Sequence, residues 1–191
     1  MYQKYHTEAL VLGSRERGES DRVFTFFTSD FGLVRARASA VRSESSRMRY
    51  ALQNYAYARV SLVRGKRGWR VAGAVAIRNA AGNSKSGAVF ARIAELVRRL
   101  VAGEEQNQYL FDTLVNTHRA LAEAGDGPSA GVVELVCVAR ILYALGYIST
   151  EALSTALFTH TAYTGESLVE AETMREKLLS SINRALAEAQ L

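Results

Sequence analysis

Apolar positions alternate with period two as far as about residue 80 and recur with a helical period beyond it. In residues 33–39, Val34, Ala36 and Ala38 fall on one face and Arg35, Arg37 and Ser39 on the other, the pattern of a half-buried strand. Residues 55–62 and 69–75 alternate in the same way, and with residues 7–13 and 22–28 they predict five strands. Many inward positions are Ala or Gly, which suits a small closed barrel with little interior room. Residues 14–18 are expected to join the first two strands, residues 30–32 to form a tight turn, and residues 64–68 a hairpin loop with two glycines. Residues 42–49 read as a polar connection too long for a hairpin, and residues 79–84 as a linker.

After the linker, Val89, Ile93, Val97, Leu100 and Val101 form one helical stripe and Leu110, Leu114 and Leu121 another. Residues 125–129 break the chain, and residues 132–145 are apolar almost all round, predicting the central helix of a bundle. Leu168, Ala171, Met174, Leu178, Ile182, Ala185 and Ala189 predict one last amphipathic helix. The predicted class is α+β: an N-terminal small five-stranded β-barrel in residues 1–80 followed by an all-α domain in residues 81–191.

Composition narrows the chemistry. The chain has 191 residues and one cysteine, Cys137, which excludes a disulfide framework and a cysteine-based zinc site. The opening residues predict no secretory signal, and residues 130–147 contain Glu134 and Arg140, too short and too polar for a comfortable span of a bilayer. The expected setting is a reducing one, most simply the cytoplasm (in bacterial terms the cytosol or nucleoid), with no membrane partner. His6, His118 and His160 have no metal-ligand spacing, and residues 165–169 lack the last glycine of a nucleophile elbow. Residues 79–86 lack the glycines of a phosphate-binding loop. Cys137 reads as a buried, inert thiol and His118 as a packed ring. No catalytic residue, metal or cofactor is predicted, and the protein is expected not to be an enzyme.

Charge is uneven. Residues 1–80 carry 15 cations against 6 carboxylates, and all but Lys4 and Lys66 of those cations are arginine. The remainder carries 9 against 13, so the two parts have net charges of +9 and −4. A basic half beside an acidic one predicts a polyanion partner for the first. Arg15 and Arg17 fall between the first two predicted strands, and Arg64, Lys66 and Arg67 between the last two, the loops that flank the oligonucleotide face of OB barrels. Arg35 and Arg37 point outward from the third strand, Arg42, Arg47 and Arg49 occupy the polar connection, and Arg70 lies on the last strand. Guanidinium forks match phosphate oxygens and stack on bases. Tyr55, Tyr57 and Trp69 are candidate stacking platforms; the competing reading packs Tyr57 and Trp69 inside the barrel or against the helices. No base-reading device is visible, so backbone-led, largely sequence-independent binding is expected.

Residues 7–12, the run Gly18-Glu19-Ser20-Asp21-Arg22 with the strand that follows it, and residues 32–36 resemble the opening of the RecO family of recombination mediators. The likeness continues through residues 46–49, 51–53 and 62–65; residues 134–147, ending in Leu-Gly-Tyr, and residues 182–186 resemble the family's central and last helices more weakly. In the run itself Gly18 suits a turn and Ser20 and Asp21 suit local backbone bonds. Arg22 reads either as a DNA contact or as a structural ion pair.

The resemblance implies an OB-fold nucleic-acid-binding domain in residues 1–80 and a RecO-like α-helical domain in residues 81–191, in a protein of recombinational DNA repair that binds single- and double-stranded DNA and anneals complementary strands. It implies work with RecR to load RecA onto strands coated by single-strand-binding protein. Many relatives carry a four-cysteine zinc site after Leu-Gly-Tyr; residues 148–166 here contain no cysteine, and Asn54 stands where proline is usual. Two alternatives stay open: an interaction adaptor whose helical domain docks a protein of the repair machinery with weak DNA contact, and an RNA-binding OB-fold protein.

Overall fold

The computed structural model describes residues 3–43, 46–79, 85–125, 127, 129–149, 153 and 155–189. The chain separates into two compact units, Met1–Ala80 with Ala102–Gln108, and Ala81–Val101 with Tyr109–Leu191. Of the predicted linker only Asn79 lies within the described residues.

In the first unit, five strands β1 (Lys4–Arg17), β2 (Asp21–Thr28), β3 (Gly32–Ala38), β4 (Tyr57–Gly65) and β5 (Gly68–Arg78) close into a barrel in the order β1-β2-β3-β5-β4. All neighbours are antiparallel except β3 and β5. β1 closes the barrel: it pairs with β4 from Lys4 to Leu10 and with β2 from Ala9 to Arg17. The register slips between Val11 and Gly13, the bulge that lets one long strand bend around the sheet. This five-stranded closed order is that of an OB-fold.

The alternation read from the sequence sends Ala9, Val11, Val34, Ala36, Ala58, Val60 and Leu62 into the interior, where they pack with Phe24 and Phe26. Phe24 and Phe26 stack at 5.7 Å. The polar connection between β3 and β4 holds a one-turn helix α1 (Met48–Ala51), which the sequence reading did not predict. Its end and the next residue, Ala51 and Leu52, are buried against the barrel. Glu44 and Ser45 of that connection lie outside the described residues.

The segment Ala102–Gln108 also belongs to this unit. Gly32 has φ +62°, and a Cβ there would stand 2.0 Å from the carbonyl oxygen of Glu105, so both the turn and the close approach require glycine. Glu104 accepts a 2.9 Å hydrogen bond from the indole Nε1 of Trp69. The Trp69 ring is 5% exposed and packs on Tyr5 and Phe31, with centroids at 5.5 and 5.2 Å.

The second unit contains helices α2 (Lys85–Leu100), α3 (Gln108–Ala124), α4 (Ser129–Ala144), α5 (Gly165–Thr173) and α6 (Arg175–Glu188), with a 3₁₀ turn at Ala156–Phe158. As its all-round apolarity predicts, α4 is central and packs against α2, α5, α6 and the 3₁₀ turn. The single last helix expected from residues 168–189 is two helices. Met174, at φ −96° and ψ 9°, ends α5 and precedes α6. The apolar stripe runs through the break unaltered, because Ala171, Leu178, Ile182 and Ala185 all face the same core. α5 opens on a reciprocal capping box between Thr164 and Ser167.

Arg140 is buried within α4 at 1% exposure. Its guanidinium donates to the carbonyls of Leu157, Thr161 and Ala162 at 2.8, 2.8 and 3.2 Å and lies 4.8 Å from the Tyr163 ring centroid. Burial pushes the Cys137 thiol up to about 12, so it is neutral at physiological pH. His118 is buried with its ring edge-on to Phe90 at 5.1 Å. Among the described residues no helix is long and apolar enough to cross a membrane, and there is no cluster of three or more His, Cys, Asp or Glu able to hold a metal ion.

Candidate nucleic-acid interface

Strand register decides which cations are neighbours. Arg15 of β1 stands opposite Val23 of β2, Val23 opposite Arg37 of β3, and Arg37 beside Arg70 of β5. All three arginines are exposed and Val23 is half-buried, so one transverse row crosses four strands on the outside of the barrel. Strands lie about 4.8 Å apart, which puts Arg15 and Arg37 about 10 Å apart at their Cα atoms and Arg70 one strand further. Arg35 projects two residues from Arg37 on the same face of β3. Because β3 and β5 are parallel and Ala36 pairs with Trp69, Arg35 is level with the start of β5 and hence with the Lys66–Arg67 turn. Arg15, Arg35, Lys66, Arg67 and Arg70 have no carboxylate within ion-pair distance among the described residues, and neither do Arg17 and Arg47.

Three of the expected loop residues lie elsewhere than the sequence placed them: Arg64 belongs to β4, which runs to Gly65, and the other two belong to β1. Arg15 and Arg17 belong to β1, which runs on in register with β2 as far as the Arg17–Asp21 pair. The turn itself is Gly18-Glu19-Ser20, with Gly18 at φ +66°. The alternation that marks a strand is hidden there because residues 14–17 are polar on both faces.

Other cations are engaged within the barrel unit. Arg37 donates from Nε to Asp21 at 2.7 Å, and Asp21 also accepts the Ala40 amide at 2.9 Å. The Ala40 amide first, and the Arg37 guanidinium second, hold the Asp21 carboxyl below its ordinary range. Arg22 and Arg42 share the carboxylate of Glu16, at 3.4 and 3.2 Å. Arg64 lies 3.5 Å from Glu104 and 5.3 Å from the centroid of the Trp69 ring. Arg49 bonds the hydroxyl of Tyr50 at 2.9 Å. The pairs on Glu16 and Glu104 lie at the surface, where an ion pair is weak and exchangeable for a phosphate contact, whereas the Asp21 carboxylate that holds Arg37 is buried.

Two of the three aromatic candidates are not presented to a base. Trp69 is buried under the Glu104 segment, and Tyr57 is 8% exposed with its hydroxyl bonded to Glu8. Tyr57 titrates well above its usual range, through burial first and the Glu8 carboxylate second. Tyr55, at φ +67°, is half-buried and ties β4 to β1 through its amide, 2.7 Å from the Val11 carbonyl. The exposed ring beside the cations is Tyr50, 58% exposed. Sequence reading passed over it because it stands in the polar connection, and the only signal was its place between Arg49 and the buried Ala51-Leu52 pair.

Closed strand order defines an OB-fold barrel, and a row of outward cations crosses it. Residues 1–78 match the family described as Recombination protein O N terminal. Three curated relatives each carry the name DNA repair protein RecO; that of Desulfitobacterium hafniense is 47% identical over 62 residues, 32% of this chain and 23% of the relative. That of Dehalococcoides mccartyi is 29% identical over 116 residues, 59% of this chain and 46% of the relative. That of Pelotomaculum thermopropionicum is 30% identical over 142 residues, 73% of this chain and 56% of the relative. The likeness to the RecO family lies chiefly in the barrel. The matched segments span from about a quarter to just over half the length of these relatives.

Proposed function

We propose that the protein acts in recombinational DNA repair as a non-catalytic binder of single- and double-stranded DNA that anneals complementary strands. In this role it works with RecR to load RecA on strands coated by single-strand-binding protein. The observation that carries the reading is the transverse row Arg15, Arg37 and Arg70, continued by Arg35 and the Lys66–Arg67 turn. Five of those six side chains have no carboxylate partner among the described residues. A row of guanidinium groups fixed by sheet register neutralises successive phosphates and carries no base preference.

Engagement of about five phosphates of a single strand gives a slope of log K against log salt near −3.5. Fluorescence anisotropy of a labelled oligomer over a salt series measures it. Annealing of complementary oligomers, with and without single-strand-binding protein, tests the activity. A slope near zero, or annealing no faster than the spontaneous reaction, would remove the assignment. Competition between matched DNA and RNA oligomers decides which polymer is preferred.

A further inference from the structure

At the end of the barrel where β2 begins and β3 ends, a cavity of ≈ 390 Å³ opens beneath the α1 segment. That volume lies within the range of small-ligand sites. Phe24, Val41 and Leu52 close it from beneath, each 2% exposed or less, and Tyr50, 58% exposed, stands at its side. Its rim is cationic, formed by Arg22, Arg42 and Arg49.

One carboxylate offsets them, that of Glu16, which bridges Arg22 and Arg42 and leaves the rim with a net charge of +2. The Nε of Arg22 is buried and has no hydrogen-bond partner among the described residues. A charged N–H so placed is costly until an acceptor reaches it. Tyr50 and Gln53 complete the lining. The Arg49 guanidinium lies 4.8 Å from the Tyr50 ring centroid. Gln53 is exposed and offers both a donor and an acceptor.

A cationic rim beside an exposed aromatic ring is complementary to a ligand that is anionic at one end and flat and apolar-faced at the other. A bare anion would use only the rim, and an apolar molecule only the ring. We infer that this cavity seats one unstacked nucleotide of a bound strand, its base against the exposed Tyr50 ring and its phosphate on Arg22, Arg42 and Arg49. The Gln53 amide meets the base edge, where a side-chain amide pairs in bidentate fashion with adenine. The inference rests on the nucleic-acid reading and adds to it a base seat that the outer arginine row lacks. A base stacked in a duplex cannot enter, so the cavity favours single strands and unpaired positions.

The test is amide NMR of the full chain titrated separately with deoxyadenosine monophosphate, inorganic phosphate and a short oligodeoxyadenylate. The expected result is saturable movement of the Val41, Leu52 and Gln53 amides by the mononucleotide, with inorganic phosphate binding more weakly and leaving Leu52 unmoved. Arg42→Ala with Arg49→Ala should weaken mononucleotide binding on the order of tenfold or more while the β3 amides stay in place. Gln53→Ala should weaken it less. Failure of the mononucleotide to move these amides, while the oligomer still moves Arg35, Lys66 and Arg67, would overturn the base seat and leave the outer row standing. Equal affinity for phosphate and mononucleotide, or indifference to the double arginine variant, would also overturn it. No response of any barrel amide to the oligomer would remove the seat and the nucleic-acid reading together.

Discussion

Arg140 has no carboxylate partner among the described residues, although only 1% of it is exposed. Three backbone carbonyls and the Tyr163 ring take the place of a counter-ion and fasten residues 157–163 to α4. Arg140→Ala leaves the carbonyls unmet and should cost about 3 kcal/mol or more in a urea melt. Arg140→Lys should not restore it, because a point ammonium cannot span the three acceptors that the planar fork reaches. Gly32→Ala should cost about 2 kcal/mol, since it combines an unfavourable φ with a collision against the Glu105 backbone.

The Asp21 carboxyl is held below its ordinary range, so its contribution to stability is complete above the unfolded value of 3.8 and is lost as pH falls through the lower folded value. Asp21→Asn should flatten the acid limb of a plot of stability against pH below about 4 and leave its shape near neutrality unchanged. Little of this was legible beforehand. Arg140 reads in sequence as one cation in an apolar helix, and nothing local announces carbonyls contributed from 17 to 22 residues away. Asp21 was legible only as a residue suited to local backbone bonds, which its contact with Ala40 extends across 19 residues.

At the level of elements, the strands were readable because one face of each is buried, and burial imposes the period of two that residues 33–39 and 55–62 display. The reading failed where that condition lapses. The end of β1 is polar on both faces, so Arg15 and Arg17 looked like loop residues. The break at Met174 was invisible because the core stripe continues across it. Orientation of the β3 arginines followed from alternation alone, whereas their alignment with Arg15 and Arg70 depends on register between strands distant in sequence.

That alignment makes the end of β5 separable from the rest. Lys66→Ala, Arg67→Ala and Arg70→Ala together remove no ion pair seen among the described residues, so the melting temperature should not change. The salt slope for a single strand should fall by about 2 as three phosphate contacts disappear, equally for all base sequences. An unaltered slope, measured by anisotropy, would place the strand on another part of the barrel.

Across the whole chain, the change from period two to a helical period and the shift of net charge from +9 to −4 were enough to read a basic barrel and a helical part. They could not show that Ala102–Gln108, lying between two helices in the sequence, is part of the barrel unit. The contacts that place it there span some 35 residues from Trp69 to Glu104 and leave no periodic trace. The chain has a single tryptophan, so this docking carries its own optical reporter. A fragment ending at residue 80 would leave the Trp69 indole without its acceptor and uncover one side of its ring, and its emission should shift to the red of the intact chain. The barrel is thus discontinuous along the polypeptide: a gene fusion or transplant that moves only the first 80 codons would carry an unfinished module, and a graft that includes the distant seven-residue strip would carry a finished one.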